Sequence, residues 1–523
     1  MKILYIPLDD RPCNYRYPQY LARISGEIEM IVPPAEYMGR HKMPADIHAL
    51  WSWAFSNISG CDYAVVSVDT LGYGNIINSR IHKKSFSECL ESAENFKELK
   101  KLNPRVEVHA FNLVTRVSNC NSDEEDPGYW KRYGETIWEY GFLTDKIKRG
   151  EEDAGSKEKL SDLRKSVPEK YMSDFLNRRE INRSVNLKCL ELTADGIIDY
   201  LVIPKDDCAE YGYAAADQSV LARRIYEYGI MERVMVYPGA DEVGSVLLAR
   251  VFNKYKKYRP RVYVRYSSVM GPQIIPKYED RPLHESIKSQ VTSIGGIIIS
   301  DERDADFLLA VNSPGKEMTE ASEQKVRNIG SRNFANIDEF IHYIKYFHDE
   351  YKKPYGIADV AFANGADDEF MVYANKSGVL GKTCAYGGWN TAQNTVGVVL
   401  TQASLCSFYA SAGAPAGNKL FNEKASRIFL FRKIIEDWMM QTRMLITLTE
   451  KYGGHEGARE EIDPYNVGEH RAEILSLIGK YIGESIKNEL SVMLKDHKIL
   501  IDNISLPWDR IFEIDFDLEL QTS

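Results

Sequence analysis

Residues 2–10 read KILYIPLDD and residues 199–207 read DYLVIPKDD. Each is a short unbroken apolar run that meets a proline and then two adjacent aspartates. Consecutive apolar positions fit a strand covered on both faces, as in a parallel sheet with helices outside. The proline ends the ladder because it has no N–H to give. A capped turn needs only one carboxylate. A second one beside it, with no lysine or arginine run to neutralise the pair, points to chemistry.

Working outward, comparable runs occur at 27–32 (EIEMIV), 62–68 (DYAVVSV), 106–111 (VEVHAF) and 233–237 (RVMVY). Helical patterns lie between them, for example 85–101 and 217–229. This alternation predicts an α/β fold whose N-terminal half is a parallel sheet or a (β/α)-barrel-like closure. Residues 121–195 are charged and helical after the acidic turn NSDEEDPGYW, which predicts an insertion following the fourth strand. A second α/β run begins near 260 (RVYVRY, ADFLLAVNSP, YGIADVAFANGADD). The segment 417–500 is mostly amphipathic helix, and RIFEIDFDLEL near the end could pair onto a sheet edge. The expected organisation is 1–258, 259–416 and a mostly helical 417–523.

Composition bounds the function. Hydrophobic residues are 44% and charged residues 27%, enough apolar surface for a real core. The net charge is −10 with both signs spread along the chain, which argues against nucleic acid as partner, since phosphate binding needs a concentrated basic face. No apolar run has the length of a membrane span and no signal-like segment opens the chain, so a cytoplasmic location is expected. The eight cysteines and ten histidines are scattered without C-x-x-C or H-x-x-H pairs. Reduced thiols and no thiolate- or imidazole-held metal are therefore expected.

Acidic residues recur just past the predicted strands: Asp9 and Asp10, Asp69, Asp206 and Asp207, Asp241 and Glu242. Loops at that edge converge on ligands in open α/β sheets and barrels alike. Asp206 and Asp207 are the expected catalytic pair. Arg11, Tyr73, Asn78, Arg80 and Tyr211 complete the expected substrate rim, with Asn364 and Asp367 from FANGADDEF and Trp389, Asn390 and Asn394 from GGWNTAQNTVG. Thr391 is placed to cap the helix that follows. The structural alternative pairs Asp9 with Arg11 and Asp69 with Arg80, and lets a helix N-terminus account for Asp241–Glu242. No G-x-G-x-x-G follows the first strand, so no dinucleotide cofactor is expected.

Together KILYIPLDDRPCN, DTLGYGNIINSR, KDDCAEYGY, GADEVGS, FANGADDEF and GGWNTAQNTVG resemble a bacterial family catalogued as domain of unknown function 4127, over most of the chain. That resemblance implies no reaction. The adjacent acids after a strand also resemble those of hexosaminidases with substrate-assisted catalysis. In that likeness Asp206 would orient the acetamido group and Asp207 would be the acid. The expectation is thus a glycoside hydrolase acting on a small carbohydrate, with no cofactor and with homo-oligomerisation left open. The alternatives are a Mg²⁺- or Mn²⁺-dependent phosphoester or amide hydrolase, using Asp9, Asp69, Asp206 and Asp241 as hard oxygen ligands, and a non-catalytic sugar-binding protein.

Overall fold

The computed structural model describes residues 1–326, 333–411, 420–452, 467–494 and 497–522. The chain divides into two units. The first comprises Met1–Asp10, Ile28–Leu247 and Tyr278–Asp280, and the second Arg11–Glu27, Leu248–Lys277 and Arg281–Ser523. The residues from 417 onward group with the second unit, and 453–466 lie outside the described residues.

The first unit is built on six parallel strands: β1 (Lys2–Ile6), β2 (Glu29–Ile31), β3 (Tyr63–Ser67), β4 (Glu107–Phe111), β5 (Tyr200–Lys205) and β6 (Val234–Pro238). Their order is β2-β1-β3-β4-β5-β6. Both faces are covered, and Ile3, Leu4, Tyr5 and Ile6 are all buried, which is why the strand sequences do not alternate. Among the described residues β2 and β6 each have one neighbour, so the sheet is open. Of the two expected architectures the parallel sheet is the one present, and no closed barrel forms. The order reverses between β1 and β3, the kind of switch point at whose carboxyl ends open α/β sheets bind their ligands. Thr70 ties that point together, its Oγ1 lying 2.7 Å from the carbonyl oxygens of both Pro7 and Leu8, to which its single proton is shared.

The expected insertion is present between β4 and β5 as helices Trp130–Lys148, Ser156–Ser166 and Glu169–Ala194. It carries its own small core of Trp130, Ile137, Val167, Met172 and Phe175. The stretch DTLGYGNIINSR, with its two glycines, folds into two short helices, Val68–Tyr73 and Ile76–Ile81. Gly74 joins them at φ 114°, and a Cβ there would lie 2.5 Å from the Cβ of Pro44. Only glycine fits.

The second unit has five parallel strands, β7 (Arg261–Tyr266), β8 (Ile297–Ile298), β9 (Phe307–Asn312), β11 (Tyr355–Asp359) and β13 (Ala385–Gly387), ordered β13-β11-β9-β7-β8. A minor parallel pair joins β10 (Thr319–Glu320) to β12 (Phe362–Ala363). The C-terminal stretch differs from expectation. Residues 515–522 do not join either large sheet; β14 (His497–Ser505) and β15 (Asp515–Thr522) form their own antiparallel pair. The strongest amphipathic stripe contains an eleven-residue π-helix, Ile434–Met444, following the α-helix Glu423–Lys433. Wide helices of this kind are rare and recur at functional sites. The Met and Trp side chains of this stretch are core: Trp438, Met439 and Met440 are buried with Phe347, Ile357 and Phe431.

Candidate functional site

In the first unit the carboxyl edge of the sheet collects charge. Because β1, β3, β5 and β6 are parallel, Asp9, Asp69, Asp206 and Asp241 all lie past the same ends, and all four are buried. Asp69 sits in the first turn of helix Val68–Tyr73. Its Oδ2 accepts from the Leu113 amide at 2.9 Å and from Asn112 Nδ2 at 3.2 Å, both just beyond β4. Burial raises its pKa to about 7, with the charge of Asp206 adding to the rise against those two hydrogen bonds.

The aspartate pair is not left bare. Arg80 Nη2 donates to Asp206 Oδ2 at 2.6 Å and Arg80 Nη1 to Glu125 at 2.8 Å. Arg116 reaches Asp207 at 3.1 Å and Asp126 at 2.8 Å. The neutralising cations come from helix Ile76–Ile81 and from the loop after β4, so the absence of a local basic run was misleading. It also corrects the Asp69–Arg80 pairing: Arg80 serves Asp206, and Asp69 is held by amides.

The two aspartates nevertheless differ. Asp206 is buried, whereas 33% of the Asp207 side chain is open. Burial of its carboxyl, then the charge of Asp206, push Asp207 up to about 6 against the pull of Arg116 and Arg80. Its backbone has φ 25°, an uncommon conformation for a residue with a Cβ. Strain of this sort concentrates where a side chain must be aimed.

The remaining first-unit candidates divide. Glu242 is buried and takes the Ala240 amide at 3.0 Å immediately before helix Val243–Tyr255, as the helix-start reading expects. Asp10 is half-buried beside Asp9. Tyr73 is buried and stacks on His82 at 4.6 Å, so it packs the interior. Asn78 is buried, its amide N–H received by Asn75 at the start of helix Ile76–Ile81. Tyr211 donates to Glu151 at 2.6 Å and lies under Arg149, bound to the insertion. Arg11 falls in the second unit, over the ring of Trp508 at 4.8 Å.

The second unit gathers its own carboxylates at the carboxyl edge of its sheet. Asp359, the last residue of β11, receives Asn312 Nδ2 at 2.8 Å and the Asp367 amide at 2.8 Å. Asn312 also reaches Asp367 at 3.3 Å. Burial, then the neighbouring Asp367, raise the Asp359 pKa well above the carboxylate range. Asp367 caps helix Asp368–Lys376. Asn364 (φ 59°) and Asn390 (φ 50°) bring their loops together through Asn364 N–H to Asn390 C=O at 2.9 Å.

Trp389, named from the sequence as part of the substrate rim, is 5% exposed, and Asn394 is buried in the first turn of helix Ala392–Ala410. Lys433 Nζ lies 4.6 Å from the Trp389 ring and Tyr17 meets it edge-on at 5.8 Å, which explains the burial. Thr391 is the N-cap of that helix but makes no capping bond. Thr395 ties the turn instead, accepting from the Trp389 amide at 3.0 Å and donating to its carbonyl at 2.7 Å. Lys433 is fully buried with Asp437 at 2.9 Å, and Asp437 also receives the Gly388 amide at 2.8 Å. Burial lifts Asp437 to about 6, Lys433 opposing and Glu436 assisting.

Sequence reasoning missed Arg116, Glu125, Asp126, Asp359, Asp437 and Lys433. Arg116 follows β4 as the aspartates follow their strands, and Asp359 is the last residue of β11, so the same strand-end rule could have found both. Lys205, within the quoted stretch, is buried and pairs with Asp280 and Gln218. All eight cysteines are free thiols. Among the described residues no group of three or more His, Cys, Asp or Glu is arranged to hold a metal ion. No described helix is long and apolar enough to cross a membrane.

Two open parallel sheets, each ending in buried carboxylates at its carboxyl edge, define an α/β protein with polar chemistry at the strand ends. The chain belongs to the family described as Protein of unknown function (DUF4127), which it matches over residues 3–517. No curated protein matches it.

Proposed function

We propose that the protein is a carbohydrate-active hydrolase cleaving a glycosidic bond in the manner of an N-acetylhexosaminidase, with Asp207 as general acid and Asp206 orienting the attacking group. The observation that carries this reading is the asymmetry of the pair. Asp206 is buried in an ion pair with Arg80, while the partly open Asp207 is raised to about 6. Glycoside cleavage needs one carboxyl able to keep a proton and another fixed in charge and position. At pH 7 a carboxyl with that pKa is protonated in roughly a tenth of molecules, orders of magnitude more than an ordinary aspartate. Arg116 positions the acid.

Asp207→Asn is expected to lower turnover of an ordinary N-acetylhexosaminide by ~10²–10⁴-fold, because the amide cannot supply the proton. A nitrophenyl glycoside needs less protonation of its leaving group and should lose less. Asp206→Asn should impair both substrates alike. Equal loss on both substrates for the two variants, or rescue by added Mg²⁺, would replace the glycosidase with the metal-hydrolase reading. Retained sugar affinity in a wild-type protein with no turnover would favour a binding protein.

A further inference from the structure

Two cysteines meet inside the second unit. Cys384 stands immediately before β13, and Cys406 lies in helix Ala392–Ala410, which packs along that strand. The contacts run in step. A Cβ on Gly387 would lie 3.1 Å from Val399 and 3.4 Å from Thr395. One on Gly356, which pairs with Ala385, would lie 2.8 Å from Val399 and 3.3 Å from Ala403. Thr395, Val399, Ala403 and Cys406 recur at helical spacing on one face, so each step back along β13 meets a later residue of the helix. At the start of the strand Cys384 meets Cys406, and the two thiols are hydrogen-bonded to each other. Cys406 Sγ also lies 3.9 Å from the Cys384 carbonyl oxygen.

The pair is chemically uneven. Cys406 Sγ is 3.4 Å from Ser426 Oγ, which accepts from Gln402 Nε2 at 3.3 Å and so keeps its own proton for the sulfur. Hydrogen bonds from Cys384 and from Ser426 hold the Cys406 thiol below its ordinary value against burial. The same contact, then burial, pushes Cys384 up. Burial likewise raises Cys61, Cys89 and Cys189. The thiolate is the nucleophile, so Cys406 is the sulfur fitted to attack and Cys384 the one fitted to resolve. Cys384 is half-buried and Cys406 buried, which puts the pair at the edge of the interior. We propose that Cys384 and Cys406 are a modification site, a dithiol that a peroxide converts to a disulfide and a thiol reductant restores. The Cys406 thiolate attacks one oxygen of hydrogen peroxide and breaks the O–O bond. A sulfenic acid forms, and the hydroxide released takes up the proton Cys406 lost. The Cys384 sulfur then attacks the Cys406 sulfur, and its proton leaves with the hydroxyl as water. Two thiols and one peroxide give one disulfide and two waters. The bond would tie the start of β13 to the last turns of the helix and close the segment that carries Trp389, Asn390 and Asn394, independently of the reaction proposed above.

The test uses the full-length folded protein and needs no activity. After brief treatment with hydrogen peroxide the protein is unfolded directly into N-ethylmaleimide, and its non-reduced peptides are mapped by mass spectrometry. The main disulfide should be a peptide pair joined through Cys384 and Cys406, two hydrogens lighter than its parts and lost on adding dithiothreitol. In Cys384→Ser the sulfenic acid on Cys406 has no resolving thiol and should be trapped by dimedone. Cys406→Ser should give no dimedone adduct on Cys384. If either variant does not fold, the wild-type peptide map decides alone. Maleimide on both cysteines after peroxide treatment, or Cys406 joined to a different cysteine, would overturn the proposal.

Discussion

Asp69 offers a perturbation whose size can be worked from the structure. Its folded-state pKa is about 7 against an ordinary 3.8, a rise of about 3 units, which corresponds to about 4 kcal/mol. Below pH ~3.8 the carboxyl is protonated whether the chain is folded or not, and it imposes no penalty. As pH climbs from 4 to 7 the unfolded chain ionises while the folded one keeps its proton, so the folded state loses about 1.4 kcal/mol per pH unit. Above 7 both forms ionise and the penalty levels off. Asp69→Asn removes this titration. The amide oxygen can still accept from Leu113 N–H, but its NH₂ has no acceptor matching the carboxylate's role and should cost about 1–3 kcal/mol at every pH. The variant should therefore be less stable than wild type at pH 4 and more stable by about 1–3 kcal/mol at pH 8. With about 2–4 °C per kcal/mol, the difference in melting temperature should swing by about 8–16 °C across pH 4–7 and stay nearly constant beyond. Calorimetry of both proteins in matched buffers measures it. A difference that is flat over pH 4–7 would refute the claim that burial holds this carboxyl protonated.

Two further outcomes are expected. Lys433→Met should destabilise the second unit by about 3–5 kcal/mol in chemical denaturation, because the buried Asp437 loses the cation at 2.9 Å that satisfies it and opposes the rise of its pKa. Adding Asp437→Asn should return part of that loss, and strict additivity of the two changes would show that they do not interact. Gly74→Ala should cost at least about 1–3 kcal/mol from φ 114° alone, with the approach to Pro44 adding to it. A melting temperature within a degree of wild type would mean the turn can rearrange.

Several levels of this structure were legible in the amino-acid order. The six strands of the first sheet appear where the runs rich in apolar residues stand, and the central ones do not alternate because a strand covered on both faces has no reason to. The aspartates past those strands necessarily share one edge once the strands are parallel, since each chain segment leaves the sheet in the same direction. The insertion after β4 is visible as a change of period. Other features arise only from residues far apart in sequence. Whether parallel strands close or stay open depends on what pairs with β2 and β6, and no local pattern states that. The cations of the aspartate pair are Arg80 and Arg116, which lie 126 and 91 residues away from their partners. Trp389 was read from the sequence as part of a substrate rim, yet Lys433, the last residue before the π-helix, and Tyr17 cover it. That helix carries side chains that accept from distant backbone amides, Asp437 from Gly388 and Thr442 from Ala366, and no local pattern announces those partners. Local pattern reports burial and direction of the chain, because those depend on near neighbours. Charge pairing, protonation and sheet closure depend on which distant groups share the interior, and tertiary packing alone decides that.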